Sequence, residues 1–417
     1  MYYTGSAKLK VSDAVGRKLS NPTSLIVIDS LSERPPMRIV QICSARDLGG
    51  GEKHLADLAN ALATHGHDVY AIVVPRSPLC GELSALPKQN IVELPMRNSL
   101  NLISVFKLAR FLRERRIEII HAHMARDYPL AALAASRADG TQLVLTRHVL
   151  FQLHKSHRLT LRNVARVIAV SRAVFDSLRA QRIFDRSKIT VVYNGIDIDR
   201  FAGTRGVRTD KDPDARFRVG MIGHIAPIKG HKEFLRAAAL VCRRRDDVDF
   251  VIVGEDKSYK GENRRRIEKL IAELKIGPRV KLLGWTNDVA KVLGTFDLFV
   301  SPARAEPFGL SIIEAMAAGV PVLATMSEGA CEIIEPDQTG RLVPLRDVNA
   351  LAGAIDELLS DPQECQRLSA NAQQAVRERF SLARMVDETE DVYRQVLEDM
   401  HITGIWNRPF DPKRGAG

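Results

Sequence analysis

Cysteine is scarce in this 417-residue chain: Cys43, Cys80, Cys242, Cys331 and Cys365 are scattered, form no metal-type cluster and leave one unpaired. This excludes a disulfide scaffold and points to reduced thiols, the default of the cytosol. Long apolar runs are missing as well. None reaches the ~18 residues that would cross a bilayer. The amino-terminal segment is basic but has no sustained apolar stretch, so it does not read as an ordinary signal peptide. Aromatic residues make up only 6%, and no basic stretch has the aromatic interleaving of a nucleic-acid surface, so nucleic acid is not an expected partner. Negative charge is the minority sign, with 50 acidic against 61 basic residues and a net charge of +11. A basic surface of this kind suits anionic lipid or nucleotide phosphate.

The remaining composition, 45% apolar and 27% charged, is that of a soluble globular protein. The length predicts two domains of about 150–200 residues, each able to bury a core. Strand-like and helix-like stretches alternate twice along the chain. The expected fold class is therefore α/β, with two Rossmann-like domains built on parallel sheets. Residues 1–36 lack sustained periodicity and read as an extension that need not be ordered. The first domain is expected over 37–202, a charged linker over 203–214, and the second domain over 215–380. A last helix and a loose tail fill 381–417.

One strand–turn–helix unit carries the most chemistry. Phe296 to Val300 reads as a buried strand, Glu306 to Gly309 as a turn, and Leu310 as the start of a short helix. Amide groups at a helix start lack backbone partners and attract anions or sugar hydroxyls. Glu306 stands at the strand exit, where it caps nothing obvious. Glu314 leans back toward the same turn, although Ser311-Ile312-Ile313-Glu314 is also a capping-box pattern that needs no ligand.

Other stretches add candidates. Gly49-Gly50-Gly51 lies between the strand Arg38–Ile42 and a helix expected from about Lys53 to Ala63, where glycine lets the backbone approach a ligand. The strand Ile117–His123 ends in His121 and His123, on one side of the sheet. That pair also suggests a metal, but no third ligand stands at a suitable spacing. From Arg147 to Arg166 there is no acidic residue. Arg147 and His148 open that stretch, which marks them as an acceptor-side or membrane-contact surface. The helix Leu102–Arg115 carries four basic residues, followed by Arg116, with Leu102, Val105, Phe106, Ala109 and Leu112 expected as its apolar side. It is either a solvated face or a surface for anionic lipid. Lys229, in the loop before the helix His231–Arg243, could set its ammonium on a diphosphate.

Glu306 and Glu314, separated by seven intervening residues with Pro307-Phe308-Gly309-Leu310 after the first, resemble the signature of retaining glycosyltransferases of family 4, which have the GT-B fold. The tail Ala317-Ala318-Gly319-Val320-Pro321-Val322 matches too. Gly49–Gly51 resembles that family's glycine loop, His121-Ala122-His123 its strand-end motif, and Asn194-Gly195-Ile196-Asp197 its hinge-side turn. Gly223-His224 to Lys229-Gly230 resembles a segment in which His224 occupies the usual arginine position, which leaves one permanent charge fewer. The likeness covers about residues 37–396.

It implies transfer of a sugar, with retention, from a nucleotide-sugar to an acceptor hydroxyl. Catalytic roles fall on His123, Glu306 and Lys229. Donor contacts fall on Gly50, Gly51, His224, Lys229, Phe308, Gly309, Leu310 and Glu314, with Trp285 near the base. No metal and no cofactor are implied, so Asp197-Ile198-Asp199 is not read as a metal site. The implied partners are a nucleotide-sugar donor and a glycan or glycolipid acceptor; the basic stretches and reduced thiols add an anionic membrane surface, for an enzyme of the cytoplasm and the inner membrane face. A nucleotide-sugar epimerase or hydrolase of the same fold, and a non-catalytic nucleotide-sugar-binding partner protein, stay open as alternatives.

Overall fold

Runs of Val, Ile and Leu without polar alternation make strands that bury both faces, the habit of parallel sheets covered by helices on either side. Such strands build both lobes. The computed structural model describes residues 35–96, 101–203 and 216–402. The extension up to residue 34, the expected linker from residue 204 and the tail from residue 403 lie outside the described residues.

The first sheet contains β1 (Arg38–Cys43), β2 (Asp68–Val73), β3 (Ile91–Glu93), β4 (Ile119–Ala122), β5 (Gln142–Arg147), β6 (Arg166–Ala169) and β7 (Ile189–Val191). Their order is β3-β2-β1-β4-β5-β6-β7, and each pairing is parallel. The second contains β8 (Phe217–Ile222), β9 (Val248–Val253), β10 (Val280–Leu283), β11 (Leu298–Ser301), β12 (Val322–Thr325) and β13 (Arg341–Val343). It runs β10-β9-β8-β11-β12-β13, again parallel throughout. Each order reverses direction once, between β1 and β4 and between β8 and β11. Ligands of open α/β sheets bind outside the strand carboxyl ends at such a reversal.

The described residues from Met37 onward form one compact unit that contains both lobes, and the contacts between them are specific. The Ser171 hydroxyl donates to the Pro307 carbonyl at 2.5 Å. The amides of Arg172 and Ala173, opening the helix Arg172–Gln181, donate to the Glu332 carboxylate of the other lobe at 2.8 and 2.7 Å. A carboxylate there satisfies orphan amides and the positive end of the helix dipole. The helix Leu382–Ile402 leaves the second lobe at Ser381 and lays Met385, Val386, Tyr393 and Val396 into the same core as Ile39 and Ile119 of the first sheet.

Three local expectations differ from the structure. The helix expected from Lys53 begins at Gly50, with Gly49 as its extended N-cap. First-turn amides make no intrahelical bond, so glycine costs least there. In the helix Leu102–Glu114, Leu102 and Phe106 are exposed beside Ile103, while Ser104, Val105, Leu108, Ala109 and Leu112 are buried. Ser104 can take a buried position because its hydroxyl donates to the Pro95 carbonyl at 2.6 Å. The capping-box reading of Ser311–Glu314 also fails. Gly309, not a serine, is the N-cap of the helix Leu310–Ala317.

Candidate functional site

The carboxyl ends of β1, β4 and β5 face those of β8 and β11 across a cleft of about 310 Å³. Its rear wall comes from the second lobe. The Lys229 ammonium lies 2.6 Å from a Glu306 carboxylate oxygen, with both side chains mostly buried. These residues are 77 positions apart and meet because β8 and β11 are neighbours. Three contacts clamp their loops together. The Arg304 amide donates to the Ile228 carbonyl at 2.8 Å, and the Arg304 guanidinium pairs with Glu233 at 2.5 Å. Gly230, at φ +76°, lies so near Pro302 that a Cβ would stand 1.8 Å from its carbonyl oxygen.

Glu306 leads into Pro307, Phe308 and Gly309, and the φ of +121° at Gly309 turns the chain into the helix Leu310–Ala317. The free amides of that helix start therefore face the cleft beside the Lys229–Glu306 pair. Glu314, one turn further, points back into the cleft and meets Lys53 of the first lobe at 3.5 Å. Burial pushes its carboxyl above the usual range, against the opposing pull of Lys53.

His224 and Trp285 line the same cleft, with parallel rings and centroids 6.2 Å apart. The indole is half exposed and donates to the Asn287 side-chain oxygen at 2.8 Å. Burial, with Lys257 and Lys229 nearby, holds the His224 imidazole below its ordinary value. The residue at the arginine position thus favours its neutral form at neutral pH.

The front wall sets glycines and imidazoles against the cleft, with Lys53, Glu82 and Arg200 of the same lobe at its side. Gly50 and Gly51 line it, and a Cβ on Gly50 would stand 3.0 Å from Leu310 of the opposite lobe. His148 follows β5 and also lines the cleft. His123 follows β4 and lies buried behind it, with its Nε2 2.7 Å from the Gln41 side-chain oxygen and its Nδ1 3.5 Å from His148 Nε2. Burial drives both imidazoles well below their usual range, with neighbouring imidazoles adding to the effect. His121 is locked between the Tyr393 hydroxyl at 2.6 Å and Thr146 at 2.7 Å.

The structure therefore brings Gly50, Gly51, His148, His224, Lys229, Glu306, Phe308, Gly309, Leu310 and Glu314 to one cleft, with His123 immediately behind. Arg147 does not reach it. Its side chain is buried and its guanidinium donates to the Phe151 carbonyl. The sequence reading missed Lys53 and Arg200, which line the cleft, and His54 beside the other histidines; Asn194 of the hinge-side turn and Asn287 line the cleft too. Lys53 and His54 had a signal available: a charged and an aromatic polar residue in the first turns of a helix that opens on glycine.

Two family models match the chain in tandem. "Glycosyltransferase Family 4" covers residues 48–200 and "Glycosyl transferases group 1" covers residues 208–375. Among relatives, the UDP-Gal:alpha-D-GlcNAc-diphosphoundecaprenol alpha-1,3-galactosyltransferase of Escherichia coli is 26% identical, over 70% of this chain and 78% of its own length. The lipopolysaccharide core biosynthesis glycosyltransferase LpsE of Rhizobium meliloti is 26% identical, over 87% and 99%. Among solved structures, Anabaena HepE in complex with UDP and glucose superposes with a TM-score of 0.75, over 86% of this chain and 99% of that one, at 23% identity. The tandem models, the doubled sheet order and the facing strand ends agree: the chain belongs to the family 4, or group 1, glycosyltransferases and has their GT-B fold.

Proposed function

We propose that this glycosyltransferase moves a hexose from a nucleotide-sugar to an acceptor hydroxyl with retention at the anomeric carbon, and that it needs no metal for the transfer. The observation that carries this reading is the Lys229–Glu306 pair at 2.6 Å beside an open helix start. A departing nucleoside diphosphate gathers negative charge as the bond from anomeric carbon to phosphate oxygen breaks. Lys229 and the amides at Gly309 and Leu310 stabilise that charge. Glu306 holds sugar hydroxyls, and its negative charge favours the developing oxocarbenium ion. Glu314 binds the ribose hydroxyls, and Trp285 offers the base a half-exposed aromatic face.

The acceptor oxygen attacks from the face that the diphosphate leaves. Its proton passes to the departing phosphate oxygen, so no protein nucleophile is required. His123, neutral and fixed by Gln41, hydrogen-bonds the sugar or acceptor rather than donating a proton. The names of two relatives, one acting on a diphosphoundecaprenol-linked sugar and one in lipopolysaccharide core synthesis, support a lipid-linked or envelope glycan as acceptor. The exposed Leu102, Ile103 and Phe106, interleaved with Lys107 and Arg110 on the helix Leu102–Glu114, suit a cytoplasmic face of anionic membrane. No helix among the described residues is long and apolar enough to cross a membrane.

The test is transfer from UDP-, GDP- and ADP-sugars to a lipid-linked acceptor pool with a chelator present, reading the product anomer by NMR. Retained configuration, with turnover lost in Glu306→Ala and Lys229→Ala, is the expected result. Inverted product, dependence on added metal, or full turnover in both variants overturns it. Epimer or free sugar formed from the donor alone points instead to an epimerase or hydrolase.

A further inference from the structure

Three imidazoles that are distant in sequence meet behind the glycine-capped helix start. His54 comes from the helix Gly50–Thr64, His123 follows β4 and His148 follows β5. One ring nitrogen from each lies within 4.8 Å of the others. The ring centroids are 5.6, 4.8 and 5.8 Å apart. Three histidines on a tetrahedral zinc-type ion, with metal–nitrogen bonds of about 2.0–2.1 Å, would place their nitrogens about 3.4 Å and their centroids about 5 Å apart. His123 Nδ1 and His148 Nε2 already stand 3.5 Å apart, so small side-chain rotations complete the set.

The surroundings leave ring lone pairs for a cation, which would replace the His148–His123 hydrogen bond. His123 Nε2 faces the Gln41 side-chain oxygen at 2.7 Å, and the Gln41 amide nitrogen donates to Tyr393 at 3.2 Å. With the hydrogen on Nε2, the Nδ1 lone pair points at the cluster, which is the outer-shell pattern of metal-binding histidines. His54 is buried beside Asn194, which hydrogen-bonds its ring, and its Nδ1 has no hydrogen-bond partner.

We propose that His54, His123 and His148 form a three-histidine site for one divalent d-block cation of the zinc, cobalt or nickel type. The fourth coordination position faces the cleft on the His148 side and takes water or a sugar hydroxyl. The ion does not serve the transfer. It ties His123 to the cluster and occupies space beside the sugar, so binding inhibits and chelation restores activity. That consequence rests on the proposed function, whereas the binding itself does not.

The experiment uses the full chain, freed of metal by chelation, titrated with Co2+ and followed by visible absorption. Zn2+ is then measured by competition. The expected result is one equivalent per chain with a tetrahedral-type spectrum, weakened about tenfold or more in His54→Asn and in His148→Asn. Should His54→Asn fail to fold, as judged by circular dichroism, His148→Asn at the partly exposed position gives the same reading. No saturable binding by the wild type overturns the site. So does binding that neither variant shifts, or binding lost only in His65→Ala, which would assign the ion to His65, His67 and Glu390. Absence of any transfer activity would sink the proposed function while leaving the titration fully interpretable.

Discussion

The rear wall of the cleft carries its charge on loops clamped to one another, whereas the strand ends of the front wall carry neutral imidazoles held by burial, with Lys53 and Arg200 only at their side. In the rear, Lys229, Glu306 and Glu314 converge on one helix start. In front, His123 and His148 sit where desolvation removes their charge. On the proposed mechanism, the difference divides the work. A departing diphosphate and an electron-poor sugar need charge that is already in place, and the rear wall supplies it. The front wall supplies shape and neutral hydrogen bonds, which suit a hydroxyl acceptor.

The largest expected effect separates the walls directly. Glu306→Gln should lower kcat about 10²–10³-fold, the scale for removing one preorganised electrostatic contact. His123→Gln should cost about tenfold, since it changes a neutral hydrogen bond. Steady-state kinetics on both variants check the order, and a reversed order breaks the comparison. Gly230→Ala probes the clamp. At φ +76° and 1.8 Å from the Pro302 oxygen, the new methyl should destabilise the fold by about 3 kcal/mol, read by urea unfolding. A neutral outcome would mean that the two rear loops are not rigidly joined.

Glu314→Gln should raise the donor KM about tenfold and leave kcat nearly unchanged, as for loss of a binding contact made equally in ground and transition states. A large fall in kcat would instead move Glu314 into the chemistry. A separate effect, silent at neutral pH, concerns His231, whose imidazole burial pushes down to about 4. Above about pH 6.5 it is neutral in folded and unfolded chains alike, and contributes no pH dependence. Between about 6.5 and 4 the unfolded chain binds a proton that the folded chain excludes, so stability falls by about 1.4 kcal/mol per pH unit. His231→Asn should flatten that part of the melting temperature profile by one proton.

Legibility in the sequence follows the same division. Glu306 and Glu314 lie within one strand–turn–helix unit, so their convergence could be read from spacing, and the alternating apolar runs predict two parallel sheets. Lys229 was legible as a residue before a helix, but its pairing with Glu306 depends on β8 and β11 being neighbours. The front wall was only partly legible. His54, His123 and His148 come from three elements, and only strand order brings them together. His54 lies on the buried side of its helix among leucines, where a histidine gives no local sign of function. Arg147 misled because charge in a sequence does not say which way a side chain turns. Its guanidinium faces inward to a carbonyl. Leu102 and Phe106 misled for the converse reason, since a buried serine displaced the helix's inner face.

The most direct test of the central claim is calorimetric titration of UDP, GDP and ADP into the wild type and Lys229→Met. The account predicts one site for at least one of these diphosphates, with Kd raised about tenfold or more when the ammonium is removed. No binding to the wild type, or a Kd that Lys229→Met leaves unchanged, would contradict it.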